Sequence, residues 1–147
     1  MKKRFLILSA ALTLVVGSAF AGNVTDVTQK VRDSFKKSFA NAQVLEWTEA
    51  GDFLKATFLT NGVRAEAYFT NEGELAGSIR SVFADQLPLS VVSAINSKYE
   101  EPVMLEVFEI SNAQGTKYRV TLESDNNKIR VMSDASGNIV SSEKIKK

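Results

Sequence analysis

The segment FTNEGELAGS, residues 69–78, contains the apolar end of a strand, a turn closed by Gly73 and the start of a second strand. The segment MSDASGNIVSS, residues 132–142, follows the same plan, and its turn is closed by Gly137. Glycine at the end of a short polar turn is typical of a hairpin, because this residue adopts positive φ without strain. The sequence therefore predicts that one hairpin geometry is used twice.

The spacing between these two turns continues through the rest of the chain. Gly73 and Gly137 lie 64 residues apart, and so do Gly51 and Gly115. The apolar pairs that match at this offset are Val27 with Val91, Val31 with Ile95, Phe35 with Tyr99, Leu54 with Tyr118, Ala56 with Val120 and Phe58 with Leu122. A fixed period of this length indicates an internal repeat. We predict a duplicated unit, whose two copies form one compact body.

Apolar residues recur at helical spacing in two places, which predicts two amphipathic helices. The first stripe consists of Val24, Val27, Val31, Phe35 and Phe39. The second stripe consists of Val91, Val92, Ile95 and Tyr99. Asp26 and Gln29 have the spacing of a capping box at the first helix, and Pro88 suits the first turn of the second helix. One helix is therefore expected at the start of each repeat.

The residue period changes to two after each helix, which predicts antiparallel strands. In the first repeat, a strand with alternating apolar residues precedes the dipeptide Asn61-Gly62, a strong hairpin signal. In the second repeat, strands are predicted at residues 103–111, 116–124, 128–133 and 138–145.

The predicted fold class is α+β, with two tandem α-β-β-β-β units and an antiparallel sheet that has the helices packed on one face. The first unit spans residues 22–84 and the second spans residues 85–147. Because the connection between them is too short to act as a flexible linker, we expect the two units to form one compact body.

The start of the chain has the pattern of a cleavable signal peptide. Basic residues 2–4 precede an apolar run at residues 5–16, and a small-x-small motif ends at Ala21. The run is shorter than the roughly 20 residues that cross a bilayer. We therefore predict removal of residues 1–21, a periplasmic or secreted protein, and no stable membrane anchor after cleavage.

The composition excludes several classes of function. Removal of the predicted signal peptide from the 147-residue chain leaves 15 Lys and Arg against 17 Asp and Glu, so no basic patch for nucleic acid is expected. The sequence contains no Cys and no His, which excludes thiol nucleophiles, disulfides, His-based triads and the common zinc sites. The acidic turn at residues 134–138 is interpreted as a backbone turn, since calcium needs six to eight oxygen ligands. We expect no enzyme activity, no cofactor and no metal site.

The run FANAQVLEWTEAGDFLKATFLTNGVRAEAYFTNEGEL, residues 39–75, resembles the secreted proteins called PepSY-like or beta-lactamase-inhibitor-like. In the second half, LPLSVVSAINSKY and SDASGNI resemble the Leu-Pro helix and Asp-x-x-Gly turn of that family. The resemblance implies a tandem helix-and-sheet protein of a Gram-negative envelope. PepSY modules are associated with peptidase inhibition, and the beta-lactamase inhibitor protein holds its enzyme on a sheet face. Because this chain lacks that inhibitor's disulfides, the inhibitory role is an analogy of shape.

The strand face opposite the helices is the candidate binding surface. The predicted alternation places aromatic, apolar and basic side chains on it, a mixture that favours partner binding. The predicted site residues are Phe53, Tyr68, Arg119, Arg130, Met132 and Trp47. The alternative interpretation is that these side chains cover one another in a second small core, and for Trp47 that it belongs to the main core.

Three functions are compatible with the sequence. The first is a non-enzymatic periplasmic or secreted protein that recognises an envelope protein or peptide on this sheet face, with inhibition as one form of that role. The second is a carrier that holds a small apolar ligand between helices and sheet, for which a closed apolar pocket would be required. The third is a structural or stress-protective component of the envelope.

Overall fold

The structure is a computed structural model that describes residues 26–125 and 127–145. Two α-helices and eight β-strands follow one another as α1 (Gln29–Ser38), β1 (Gln43–Ala50), β2 (Phe53–Thr60), β3 (Val63–Phe69), β4 (Leu75–Ser81), α2 (Leu89–Lys98), β5 (Val103–Asn112), β6 (Gly115–Ser124), β7 (Asn127–Asp134) and β8 (Ile139–Ile145). A short 3-10 helix, Ala84–Gln86, precedes α2. The predicted signal peptide and its cleavage site lie outside the described residues. In the part of the chain that is described, no helix has the length and apolar character needed to cross a membrane.

The eight strands form one antiparallel sheet in the order of the chain, from β1 to β8. β4 pairs with β5, with Ile79 opposite Ile110 and Ser81 opposite Phe108. The predicted fold class of two tandem α-β-β-β-β units is therefore wrong, because the described residues form one eight-stranded sheet with two short helices. The pairing of β4 with β5 satisfies two strand edges that separate four-stranded sheets would leave open. The duplication and the boundary at residue 84 stay predictions.

Helix α1 packs on one side of the first three strands. Thr28 is its N-cap, and the Thr28 hydroxyl accepts a hydrogen bond from the Val31 backbone N–H at 3.4 Å. Thr28 therefore occupies the position that the sequence pattern assigned to Asp26. Val31 and Phe35 are the buried residues of the helix. They pack in a core with Leu54, Ala56, Phe58, Ala65, Ala67 and Phe69.

Helix α2 packs in a second core, which contains Val91, Ile95, Val107, Tyr118, Val120, Leu122, Ile129 and Val131. The strand register shows that the two cores lie on the same side of the sheet. Ala67 of the first core lies opposite Ser78, and Ser78 lies opposite Ser111, which points to the same side of β5 as Val107 of the second core. Directly opposed residues of antiparallel strands point to the same side of the sheet. Both helices therefore lie on one side of the sheet, which is called the helix side below.

The β3–β4 and β7–β8 turns have the same backbone hydrogen bonds. In the β3–β4 turn the Gly73 N–H donates to the Thr70 carbonyl oxygen at 3.0 Å. In the β7–β8 turn the Gly137 N–H donates to the Asp134 carbonyl oxygen at 3.1 Å. Both glycines have positive φ, at 86° and 91°. The two turns therefore have a structural role: each connects two strands and fixes which residues of those strands point to each side of the sheet.

Candidate functional site

The candidate site is the side of the sheet that faces away from α1 and α2, called the open face below. It is formed by alternate residues of β2 to β7, as the strand register requires. Its main members are Phe53, Lys55, Glu66, Tyr68, Ile79, Glu106, Phe108, Ile110, Arg119, Arg130 and Met132. The open face therefore combines aromatic, aliphatic and charged side chains on a paired, rigid sheet.

The structure brings together all the predicted site residues except Trp47. Phe53, Tyr68, Arg119, Arg130 and Met132 lie on the open face. The Trp47 ring lies on the helix side instead, because its centroid is 5.6 Å from that of Phe35 and 6.0 Å from that of Phe69. Trp47 therefore packs against the main core, which was the alternative interpretation of this residue.

A small apolar cluster occupies the middle of the open face. Tyr68, Ile79 and Ile110 are buried in it, and Tyr68 is only 7% exposed. Half-buried residues pack against these three, among them Phe53, Phe108 and Met132. The open-face residues thus cover one another in part, as the alternative interpretation anticipated. Tyr68 supports the surface from within, while Phe53, Phe108 and Met132 keep accessible area.

The Tyr68 hydroxyl is held by a small polar network at the edge of this cluster. It donates a hydrogen bond to Glu66 Oε2 at 2.9 Å, and Lys55 Nζ lies 3.6 Å from Glu66 Oε1. Burial raises the pKa of Tyr68 above its usual value, and the nearby negative charge of Glu66 raises it further. The network therefore fixes the Tyr68 ring as a neutral support beneath the accessible residues.

We expect stability to fall above about pH 10, and Tyr68→Phe to reduce this fall. Because the pKa of Tyr68 is raised from 10.0 in the folded state, ionisation favours the unfolded chain. The stabilising effect is complete below the unfolded pKa and is lost as pH rises toward the folded pKa. Urea unfolding of the wild type should therefore show a loss of about 1.4 kcal/mol from Tyr68 between about pH 8 and about pH 11.

Tyr118 also has a raised pKa, first through burial and then through Glu109, and it is present in both proteins of this comparison. The difference between wild type and Tyr68→Phe therefore isolates the effect of Tyr68. An identical pH dependence in the two proteins would show that the environment of Tyr68 is not the one described.

Arg119 is a half-buried cation of the open face. Its guanidinium carbon is 4.7 Å from the centroid of the Phe108 ring, within the range of a cation–π contact. In the strand register it lies between Phe108 on β5 and Met132 on β7. The guanidinium is therefore flanked by apolar side chains on both neighbouring strands.

The pKa of Arg119 reflects this half-buried position. Burial lowers the pKa of the guanidinium, and the positive charge of Arg130 lowers it further. Glu106, Glu66 and Tyr68 oppose this effect and raise the pKa. In a flat sheet, β3 and β7 would lie about 19 Å apart, yet Tyr68 of β3 and Met132 of β7 belong to the same apolar cluster, so side chains converge over the open face.

Phe108 was not among the site residues predicted from the sequence, although its ring centroid lies only 4.7 Å from the Arg119 guanidinium carbon. Its strand was predicted, but the face to which Phe108 points depends on the register of β5. A register shift occurs between Met104 and Glu106 of that strand. Strict alternation from the strand's start therefore assigns the wrong side, and only counting backwards from the β5–β6 turn could have identified Phe108.

A groove of about 410 Å³ lies at one end of the sheet and is lined by Glu100, Glu101, Val103, Glu123, Ser124 and Asp125. Its acidic lining does not suit the apolar ligand of the carrier hypothesis. Across residues 26–125 and 127–145, no group of three or more acidic side chains is arranged to hold a metal ion. The groove therefore favours neither a carrier nor a metalloprotein.

Comparison with known proteins identifies the fold. No protein-family model matches the sequence, and no curated protein matches it significantly. A BLIP-like protein from Bacteroides fragilis has a TM-score of 0.71 at 21% identity, over 83% of this chain and 89% of that one. The chain shares the fold of this BLIP-like protein.

Two further solved structures have the same fold. A DUF2874 family protein from Bacteroides uniformis has a TM-score of 0.71 at 18% identity, over 80% of this chain and 88% of that one. A Bacteroides eggerthii protein, described as a candidate periplasmic protein, has a TM-score of 0.72 at 18% identity, over 82% of this chain and 90% of that one. The beta-lactamase-inhibitor-like resemblance is thus supported at the level of fold, while the PepSY-like resemblance stays a prediction.

Proposed function

We propose that this chain is a non-enzymatic periplasmic protein that binds a partner protein or peptide on the open face. The observation that carries the proposal is the environment of the Arg119 guanidinium. It is half-buried and stacked on Phe108, and no carboxylate pairs with it within residues 26–125 and 127–145. A cation in such a position is suited to contact a partner, because Arg and aromatic residues dominate binding hot spots.

The arrangement of the open face supports this proposal. Phe53, Phe108 and Met132 offer apolar area that a partner could cover, and Arg119 lies between two of them. The residues are carried by paired strands and supported from within by Tyr68. Such a surface loses little conformational entropy on binding, because it is already ordered.

The comparisons and the sequence support the proposed location and class. The predicted signal peptide would direct the chain out of the cytoplasm, and one protein of the same fold is described as a candidate periplasmic protein. Another protein of the same fold is described as BLIP-like. Inhibition of an enzyme would be one consequence of binding on the open face.

Affinity capture from an envelope extract tests the proposal with a matched pair of variants. Arg119→Glu reverses a charge on the open face, whereas Lys37→Glu makes the same charge change at an exposed position of α1. Proteins recovered with the wild type should be recovered at least about tenfold less with Arg119→Glu, since mispaired charges at an interface cost several kcal/mol.

Recovery with Lys37→Glu should equal that of the wild type, and the circular dichroism spectrum should show that both variants are folded. Equal recovery with all three proteins, or a loss confined to Lys37→Glu, would contradict the open face as the binding surface.

A further inference from the structure

Arg119 differs from the other arginines of the sheet because it has no ion pair within the described residues. In the part of the chain that the structure describes, four arginines lie in strands, and three of them have a carboxylate partner. The pairs are Arg64 with Glu46 at 3.7 Å, Arg80 with Glu109 at 2.8 Å and Arg130 with Glu143 at 3.0 Å. Arg119 is less exposed than the other three, yet it has no such pair within the described residues. The least exposed arginine of the strands is therefore the one arginine among them that lacks an ion-pair partner within the described residues.

The surroundings of Arg119 favour a single additional negative charge. The guanidinium is half-buried and has no ion pair within the described residues, and burial and the charge of Arg130 both lower its pKa, so an incoming carboxylate would offset this cost. Glu66 and Glu106 are close enough to affect the same pKa. Because these carboxylates would repel a doubly charged phosphate more strongly, a singly charged carboxylate is the better match.

We propose that the open face recognises an acidic peptide segment, whose Asp or Glu carboxylate pairs with Arg119 while flanking apolar side chains contact Phe108 and Met132. This inference rests on the proposed function and names the chemistry of the partner. Guanidinium and carboxylate groups form paired, charge-assisted hydrogen bonds, which give geometric specificity as well as energy. The stacking of Arg119 on Phe108 holds the guanidinium in place for such a pair.

The probe is the peptide acetyl-Phe-Glu-Leu-amide, titrated into the purified protein while the arginine side-chain N–H resonances are followed by NMR. Arg119→Lys identifies the resonance of Arg119 by its loss. The Glu peptide should shift this resonance in a saturable way at millimolar concentration. The matched peptide acetyl-Phe-Gln-Leu-amide, which lacks only the charge, should bind about tenfold more weakly, because a hydrogen bond to a charged group is lost.

Two control experiments test whether Arg119 and the carboxylate of the peptide are responsible for binding. Binding to the variants is followed through the backbone N–H resonances of Phe108 and Met132, the register neighbours of residue 119. Arg64→Lys changes an exposed, paired arginine of the same face and should leave the preference for the Glu peptide unchanged, whereas Arg119→Lys should reduce it. Inorganic phosphate should bind more weakly than the Glu peptide. Absence of a shift at Arg119, equal binding of the Glu and Gln peptides, or tighter binding of phosphate would each overturn the inference.

The failure of this inference can be separated from a failure of the proposed function. If the two peptides bind equally while Arg119→Glu still abolishes capture from the envelope extract, the open face binds a partner through other chemistry, and the carboxylate inference is wrong. If capture is also unaffected, both proposals are wrong.

Discussion

Phe35→Ala should lower the free energy of unfolding by about 3–5 kcal/mol. Phe35 is 4% exposed, and its ring centroid lies 5.1 to 6.2 Å from those of four other aromatic rings. These rings belong to Phe39, Trp47, Phe58 and Phe69. The substitution would remove all four contacts and leave a cavity between α1 and the sheet, and ordered neighbours relax only partly into such a cavity.

Urea unfolding followed by circular dichroism measures this loss. The matched control is Phe83→Ala, which truncates the same side chain at a position that is 72% exposed. The control should change the free energy of unfolding by less than about 0.5 kcal/mol. Similar losses for the two variants would show that the aromatic core beneath α1 is not packed as described.

Gly137→Ala should destabilise the protein by about 3 kcal/mol, the second-largest effect that we expect. At φ 91° an alanine is strained, which costs about 1–2 kcal/mol. The new Cβ atom would also lie 2.5 Å from the backbone oxygen of Ser90 in α2. Relief of this clash would displace the start of α2 from the β7–β8 turn, and overpacking of this kind costs about 1–3 kcal/mol.

Gly51→Ala provides the control for the backbone cost alone. Gly51 also has positive φ, at 63°, but nothing lies within 4 Å of the Cβ atom that alanine would add. Thermal or urea unfolding should therefore show a smaller loss for Gly51→Ala than for Gly137→Ala. Equal losses would contradict the close approach of the turn to α2.

Local features of the fold were predictable because they depend on neighbours in the sequence. The helical spacing of Val31 and Phe35 and the Asn61-Gly62 hairpin signal act over a few residues, and the structure places α1 and the β2–β3 turn there. The single sheet was not predictable in the same way. β4 could pair with β5 in one sheet, or the two strands could be the open edges of separate sheets. The alternation of apolar and polar residues within each strand is the same in both arrangements, so it does not distinguish them.

The candidate site was predictable in part for the same reason. Alternation from the hairpins placed Tyr68, Arg119 and Met132 on one face, since the side-chain period of a strand is two. It did not reveal that Tyr68 is covered by its neighbours, because this depends on convergence of side chains from several strands. It also could not assign Phe108 or Trp47, whose strands each contain a register shift.

Site-specific photo-crosslinking in the envelope tests most directly whether the open face is the binding surface. A benzophenone amino acid is placed at Met132, on the open face beside Arg119, or at Lys37, at an exposed position of α1. Our proposal predicts a discrete crosslinked adduct from position 132, which is lost when Arg119→Glu is added, and no such adduct from position 37. An adduct from position 37 alone, or an adduct from position 132 that persists with Arg119→Glu, would contradict it.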